Sequence, residues 1–337
     1  MQRTGVQLAT REDGTRRDAV EFAQRVEEIG YETLWVGESW GRDAFAVLTQ
    51  VGCNTRRLQL GTGIVNVFSR SPALMAQSIA TLDDVAEGRA ILGFGSSGAN
   101  VVEQWHGIPY KKPVQRLREY IEIVRMILSG DRLDYEGKIY SLHRGFRLPF
   151  KPYRTAVPIY LATLAGRSLR LTGELADGWL PIYFWPERFD QLTAPIREGA
   201  EAAGRSFEAI TVAPYILTAV TVDGDEARAM MRAHIAYYIG GMGAYYHKLW
   251  VGYGFAEQAD AVRSAWASGD RKAAAAAVTD VMVRAVTISG TVSECRQRLE
   301  EIRAAGVQLP VISQPHGASS QQVRDTLEAL APGRPGG

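Results

Sequence analysis

Along most of the chain, short apolar runs alternate with longer stretches whose apolar positions recur at helical spacing. Gly5–Ala9 reads as a first strand. A helix follows over Arg16–Ile29, where Ala19, Ala23, Val26 and Ile29 fall near one face and Gly30 supplies the stop. Thr33–Val36 reads as a buried strand, and Asp43 opens the next helix as its N-cap. Leu58–Thr62 is a third strand. Pro72 starts a third helix, at the position where a missing N–H costs least. Strand Ala90–Phe94 and helix Gln115–Leu128 continue the rhythm. It then breaks: Leu133–Tyr140 holds two short alternating runs about a Glu-Gly turn, which signals a hairpin. The rhythm resumes with strands Val157–Ala162, Gly178–Pro181 and Ile210–Val222, and helices Ser168–Ala176 and Pro186–Ala203. A helical, partly alanine-rich stretch runs from Glu226 to about Thr279. Helix Thr291–Ala305 and strand Val307–Ser313 come last.

Some eight strands alternating with helices predict an α/β fold, either a parallel barrel or a doubly wound sheet. The expected organisation is a single domain over 1–330, with insertions near 131–150 and 226–285. The Pro/Gly-rich tail 331–337 is expected to be disordered. In a parallel barrel the chemistry sits at the C-terminal ends of the strands, so those ends carry the candidates.

Strand two ends Val36-Gly37-Glu38-Ser39-Trp40-Gly41-Arg42-Asp43, which clusters a carboxylate, a hydroxyl, an indole and a guanidinium. Strand three ends Leu60-Gly61-Thr62-Gly63-Ile64-Val65-Asn66. Its glycines either relieve crowding or let a flat ring lie against the main chain. Strand four ends Gly93-Phe94-Gly95-Ser96-Ser97-Gly98, a match to the dinucleotide pattern G-x-G-x-x-G. The context is wrong for that motif: the next long helix starts only after Pro113, and the acid expected at the end of the following strand is missing. What survives is a nest of small residues and N–H groups suited to an anion such as phosphate. Strand five ends Ala162-Thr163-Leu164-Ala165-Gly166-Arg167-Ser168, just before a helix N-terminus, which also attracts phosphate. Each of these segments also has a bland reading as an ordinary strand-to-helix loop. Trp179, Tyr183, Phe184 and Trp185 either line a site for a planar ligand or fill the core.

Composition narrows the chemistry. The 337 residues are 46% hydrophobic with a net charge of +1, so a large core is available and no basic stripe invites nucleic acid. No apolar run is long enough to span a bilayer, and the first residues lack the apolar segment of a signal peptide. A cytoplasmic protein is expected. The two cysteines, Cys53 and Cys295, read as small buried residues rather than a disulfide framework. The five histidines lack ligand spacing, so no metal is expected. Gly95-Ser96-Ser97-Gly98-Ala99 is not a nucleophile elbow. His106 reads as a structural loop residue.

In combination, Leu60–Asn66, Ser71-Pro72-Ala73-Leu74-Met75-Ala76-Gln77, Gly88–Gly95 and Gly173–Trp179 make the chain similar to the luciferase-like monooxygenase superfamily. The resemblance spans about residues 3–315. It points most to the coenzyme F420-dependent branch that includes methylenetetrahydromethanopterin reductase. Gly88-Arg89-Ala90-Ile91-Leu92-Gly93 stands where FMN-dependent alkanesulfonate-type members carry an Asn-x-Val-Thr-Ser-like segment. The resemblance implies a bacterial-luciferase-like (β/α)8 TIM barrel, usually a homodimer, acting on a small-molecule substrate. It also implies a cofactor at the strand C-termini: F420, or alternatively FMN. A non-prolyl cis peptide is implied at Gly63-Ile64. Cofactor contacts are implied from Thr62, Gly63, Ile64, Asn66, Gly95, Ser96, Ser97, Gly98, Ala162, Thr163, Leu164, Ala165, Gly166 and Arg167. Where some F420 enzymes have Asp-His after strand two, this chain has Glu38-Ser39, the candidate catalytic pair. Ser39 cannot act as an imidazole, which favours a reductase over a glucose-6-phosphate dehydrogenase-like reaction. An FMN-dependent monooxygenase and a non-catalytic flavin-binding barrel are the competing readings.

Overall fold

The computed structural model describes residues 2–9 and 16–333. The rest of the tail, 334–337, lies outside the described residues. Contacts divide the chain into two units.

The first unit comprises residues 1–182, 190–214 and 332–337. Its elements are β1 (Gly5–Gln7), α1 (Arg16–Glu28), β2 (Thr33–Val36), α2 (Ala44–Asn54), β3 (Gln59–Thr62), β4 (Val65–Asn66), α3 (Pro72–Val85), β5 (Ala90–Gly95), α4 (Pro113–Ser129), β6 (Leu133–Glu136), β7 (Ser141–Phe146), β8 (Ile159–Ala162), α5 (Gly166–Leu175), β9 (Gly178–Trp179), α6 (Phe189–Ala202, its first residue counted with the other unit) and β10 (Thr211–Val212). The strands run parallel in the order β10-β9-β8-β5-β3-β2-β1, with β4 added alongside β5. This is the expected alternation of parallel strand and helix. All of β2 and β5 is buried, which explains why they read as unbroken apolar runs rather than alternating ones.

Gly61 settles one of the two glycine readings. A Cβ there would stand 2.2 Å from the Trp35 ring, so the space is taken by an indole of this chain. The opposite end of β3 is tied by charged side chains to backbone. Glu27 accepts the N–H groups of Arg56, Arg57 and Leu58 at 2.9, 2.6 and 2.8 Å. Arg89 donates to the carbonyls of Leu58, Gly52 and Thr55 at 2.8, 3.0 and 3.1 Å.

The hairpin is present, but its second strand begins at Ser141, later than the alternation suggested. Its turn is held by a fully buried carboxylate. Glu119 of α4 accepts from the Gln115 amide and from the N–H groups of Lys138, Ile139 and Tyr140 at 2.8–3.1 Å. Burial pushes the Glu119 carboxyl up, but these donors outweigh it and hold it below the usual carboxylate range. Its contribution is therefore complete above the ordinary glutamate pKa and is lost as pH falls through the depressed one. Glu119→Ala leaves three backbone donors without their acceptor and should cost about 3 kcal/mol in chemical denaturation. In the wild type, the protection of the Lys138–Tyr140 amides relative to intrinsic exchange should fall on acidification below about pH 4. Protection that ignores acid would remove the clasp.

The second unit comprises residues 183–189 and 215–331. It contains β11 (Tyr215–Val220), α7 (Asp225–Gly241), α8 (Ala244–Gly252), α9 (Ala256–Ala267), α10 (Arg271–Ala276), α11 (Asp280–Val286), β12 (Thr287–Gly290), α12 (Val292–Ala304), β13 (Val311–Ser313) and α13 (Ser320–Ala329). Its strands are parallel, in the order β13-β11-β12. Tyr183 packs edge-on against Tyr238 and Tyr246, with centroids 5.5 and 5.9 Å apart. Tyr183 is buried in this aromatic cluster, and Phe184 is buried edge-on against Phe189.

Several expectations need correction. Ile210–Val222 is not one strand: it ends at Val212 and restarts at Tyr215, because Pro214 brings no N–H to a ladder. Val307–Ser313 shrinks to its last three residues, after Pro310. Strand β12 and helix α13 were not anticipated. β12 is four residues long, half of them hydroxylated, and follows α11 without a loop. Cys295 is buried, but Cys53 is exposed: it falls outside the buried set of α2. Both thiols are free.

Candidate active site at the strand ends

In the order β8-β5-β3-β2, four parallel neighbours bring their C-terminal ends side by side. Registers pair Val36 with Thr62, Asn66 with Gly95 and Gly95 with Ala162. The segments after these strands are the ones the sequence singled out.

The peptide Gly63-Ile64 is cis, as the resemblance implies. It is held between strands: Gly63 N–H donates to Val36 at 2.7 Å, and Ile64 accepts from Glu38 N–H at 3.0 Å. Glu38 and the cis bond are thus joined through backbone.

The Glu38 side chain is fixed by a residue that the sequence reading missed. Arg70, in the loop before α3, donates Nη1 to Oε1 at 2.5 Å and Nη2 to Oε2 at 2.9 Å. Glu38 Oε2 also accepts Ala44 N–H at 2.9 Å. Arg70 further pairs with Asp43, lies over the Phe45 ring, and its carbonyl accepts the Tyr120 hydroxyl. Burial works against the Arg70 charge, but Glu38 and Asp43 outweigh it and push its pKa up. A carboxylate gripped by a guanidinium and an N–H is a fixed acceptor. Asp43 keeps its predicted cap as well, accepting Ala46 N–H at 2.8 Å. Ser39 is exposed. Arg70 lies 32 positions from Glu38. The local signal for it was a lone cation between Ser69 and Ser71-Pro72.

After β5, Ser97 adopts a left-handed backbone with φ 57° and Gly98 is exposed. The Tyr110 hydroxyl reaches Ser96 Oγ at 3.0 Å and the Ser97 carbonyl at 3.2 Å. The chain turns helical almost at once: Val101 and Val102 N–H both bond the Gly98 carbonyl, and a short π-helical turn covers Val101–Trp105. The sequence reading had no helix before Pro113, so that part is corrected. A five-residue turn still does not make a dinucleotide fold.

After β8, Ala165 is the extended N-cap residue of α5 and offers no side-chain acceptor. Gly166 has φ +53° with open space where a Cβ would stand. The first N–H groups of α5 therefore lack a cap from the residue built to supply one, and an anion can satisfy them. Leu164 is half-buried and Arg167 is exposed beside them.

The hydroxyls of two predicted residues make structural bonds. The buried Thr62 hydroxyl donates to the Gly93 carbonyl at 2.7 Å and accepts Gly93 N–H at 2.8 Å, stapling β3 to β5. Thr163 Oγ1 bonds Thr172 Oγ1 at 2.7 Å, and its carbonyl accepts the Trp179 indole at 2.7 Å. Trp179 is therefore core. Asn66 is buried and bonds His106. Among the described residues, no group of three or more His, Cys, Asp or Glu could hold a metal. No described helix is long and apolar enough to cross a membrane.

The chain is similar to known proteins. The chain is 32% identical over 307 residues to a 5,10-methylenetetrahydromethanopterin reductase of Archaeoglobus fulgidus, covering 89% of this chain and 90% of that protein. It is 31% identical to a protein of the same name from Methanolobus tindarius, covering 89% and 91%. The solved structure of a coenzyme F420-dependent tetrahydromethanopterin reductase from Methanopyrus kandleri matches with a TM-score of 0.83 and 26% identity, over 97% of both chains. Residues 2–309 match the family described as Luciferase-like monooxygenase, so the chain belongs to that family and has its TIM-barrel-like α/β fold.

Proposed function

We propose that this protein is an F420-dependent oxidoreductase that works as a reductase of a small unsaturated substrate, such as a pterin carrying a C=N bond. The observation that carries the reading is the uncapped, open N-terminus of α5 beside the Ser96–Gly98 turn. It lies one strand from the cis bond, in a chain similar to a solved reductase named as coenzyme F420-dependent.

The residues present fit such a cofactor. Gly166, Arg167 and the Ser96–Gly98 turn would hold its phosphate, through N–H groups and a nearby cation. Gly63 and Ile64 would support its ring, with Gly95 and Ala162 on the flanking strands. When bound, the deazaflavin supplies hydride in two-electron steps. Glu38 acts as a fixed acceptor that Arg70 orients. The protein's task is then to place the acceptor atom of the substrate and to exclude competing reactions. We place the protein in the cytoplasm as a homodimer, on the strength of the family resemblance. Sedimentation at a monomer mass would remove the dimer.

Equilibrium binding separates the cofactors. F420 should bind at least about tenfold more tightly than FMN, a difference of about 1.4 kcal/mol. Tighter FMN binding would move the protein to the monooxygenases. F420 binding without turnover of methylenetetrahydromethanopterin or of any acceptor in a panel of imines and ketones would leave a binding protein.

A further inference from the structure

Asn66 decides the protonation of a histidine that the site described above does not use. Asn66 is 2% exposed. Its Oδ1 accepts two backbone N–H groups, those of Phe68 and Ser69, both at 2.8 Å. Flipping the amide would set an NH2 group against two N–H donors, so the orientation is forced. Nδ2 then points to His106 Nε2 at 3.1 Å. An amide nitrogen only donates, so Nε2 must be the acceptor. The imidazole is therefore neutral and carries its proton on Nδ1. Among the described residues, Nδ1 has no partner. The ring is half-buried, and its backbone N–H is held by the Val101 carbonyl at 3.2 Å.

The place of this pair matters. Asn66 is two residues past the cis bond and pairs with Gly95, immediately before Ser96. The end of β2 offers Ser39 rather than an imidazole.

We propose that His106 is a tautomer-locked hydrogen-bond donor of the reaction site, whose Nδ1–H binds the oxygen or nitrogen of a substrate C=O or C=N group. This rests on the reductase reading above. His106 is not the proton source: losing the Nδ1 proton while Nε2 faces an N–H would leave an imidazolate. It polarises the acceptor, as a neutral imidazole can. Reduction then adds a hydride to carbon, taken from reduced F420, and a proton from water to the heteroatom. The C=X π bond becomes C–H and X–H, and His106 keeps its proton throughout.

The test has two arms. Imidazole 15N NMR of the unliganded protein should show His106 as the Nδ1–H tautomer, and Asn66→Asp should move a proton onto Nε2. The second arm uses as probe a neutral ketone or imine from the acceptor panel. His106→Gln, which places an amide near Nε2 and offers nothing at Nδ1, should lower kcat about tenfold to a hundredfold. His106→Asn, whose amide nitrogen falls near Nδ1 but cannot reach Asn66, should keep kcat within about threefold. A purely structural link to Asn66 predicts the reverse order. An Nε2–H tautomer in the wild type, or full turnover by His106→Gln, overturns the proposal and leaves the reductase reading intact. Wild type that neither binds F420 nor reduces the probe sinks the reductase reading, while the tautomer result still stands.

Discussion

Glu38→Gln should lower turnover about tenfold to a hundredfold while F420 affinity stays within about threefold. Both carboxylate oxygens face donors: Oε1 takes one Arg70 nitrogen, and Oε2 takes the other together with Ala44 N–H. A glutamine must turn its NH2 group toward one of those sides, so a donor meets a donor whichever rotamer it adopts. Arg70, with its side chain 11% exposed, then loses one of its two Glu38 bonds and leans on the remaining amide oxygen, Ser69 Oγ and the half-exposed Asp43. The loop after β2 then loses its fixed direction. The groups proposed to hold phosphate sit after β5 and β8, so cofactor affinity is expected to survive. Stopped-flow reduction and a fluorescence titration of F420 separate the two quantities. A rate equal to wild type would remove Glu38 from the site. A rate and an affinity that fall together would mean the network supports the whole cofactor cradle.

Ala165→Asp should do the opposite to two quantities that usually move together. An aspartate at an N-cap position accepts the first helical N–H groups and stabilises the helix by about 1 kcal/mol. Here it would place a carboxylate where a phosphate is proposed to bind. F420 affinity should fall about tenfold to a hundredfold, while the thermal midpoint holds or rises slightly. Ala165→Ser, a neutral cap, should lose less. If Ala165→Asp binds F420 as wild type does, the anion site is elsewhere.

How much of this could be read from the chain depends on what each residue answers to. Thr33–Val36 was predicted to the residue because a buried parallel strand needs apolar side chains on both faces. Asp43 and Pro72 were legible because helix-start signals act within the first turn, whereas the Ser71 cap was not singled out. Thr287–Gly290 was not, because its identity as a strand comes from pairing with β11 and Ile288 is its one large apolar residue. The Arg70 grip on Glu38 and the Asn66–His106 bond were also invisible, spanning 32 and 40 positions that only the fold closes. At Thr62 the resemblance pointed to a cofactor contact and gave no sign of the hydroxyl's two bonds to Gly93, which exist only because β3 pairs with β5. The cis bond at Gly63-Ile64 was legible only through the family resemblance, since neither residue type calls for it.

The clamps at the start of β3 have a consequence for how this protein can change. Glu27 and Arg89 spend their charges on main-chain atoms at the entry to that strand. At the exit lie the turns after β5 and β8, proposed above to offer main-chain donors to a phosphate. Lineages that explore new substrates can therefore rewrite the exit loops freely, because the anchorage on which the strand depends is written elsewhere. A mutational scan should find Glu27 and Arg89 intolerant in any assay of soluble yield. Substitutions around Leu164 and Arg167 should pass that assay and be sorted only by which molecule the protein accepts.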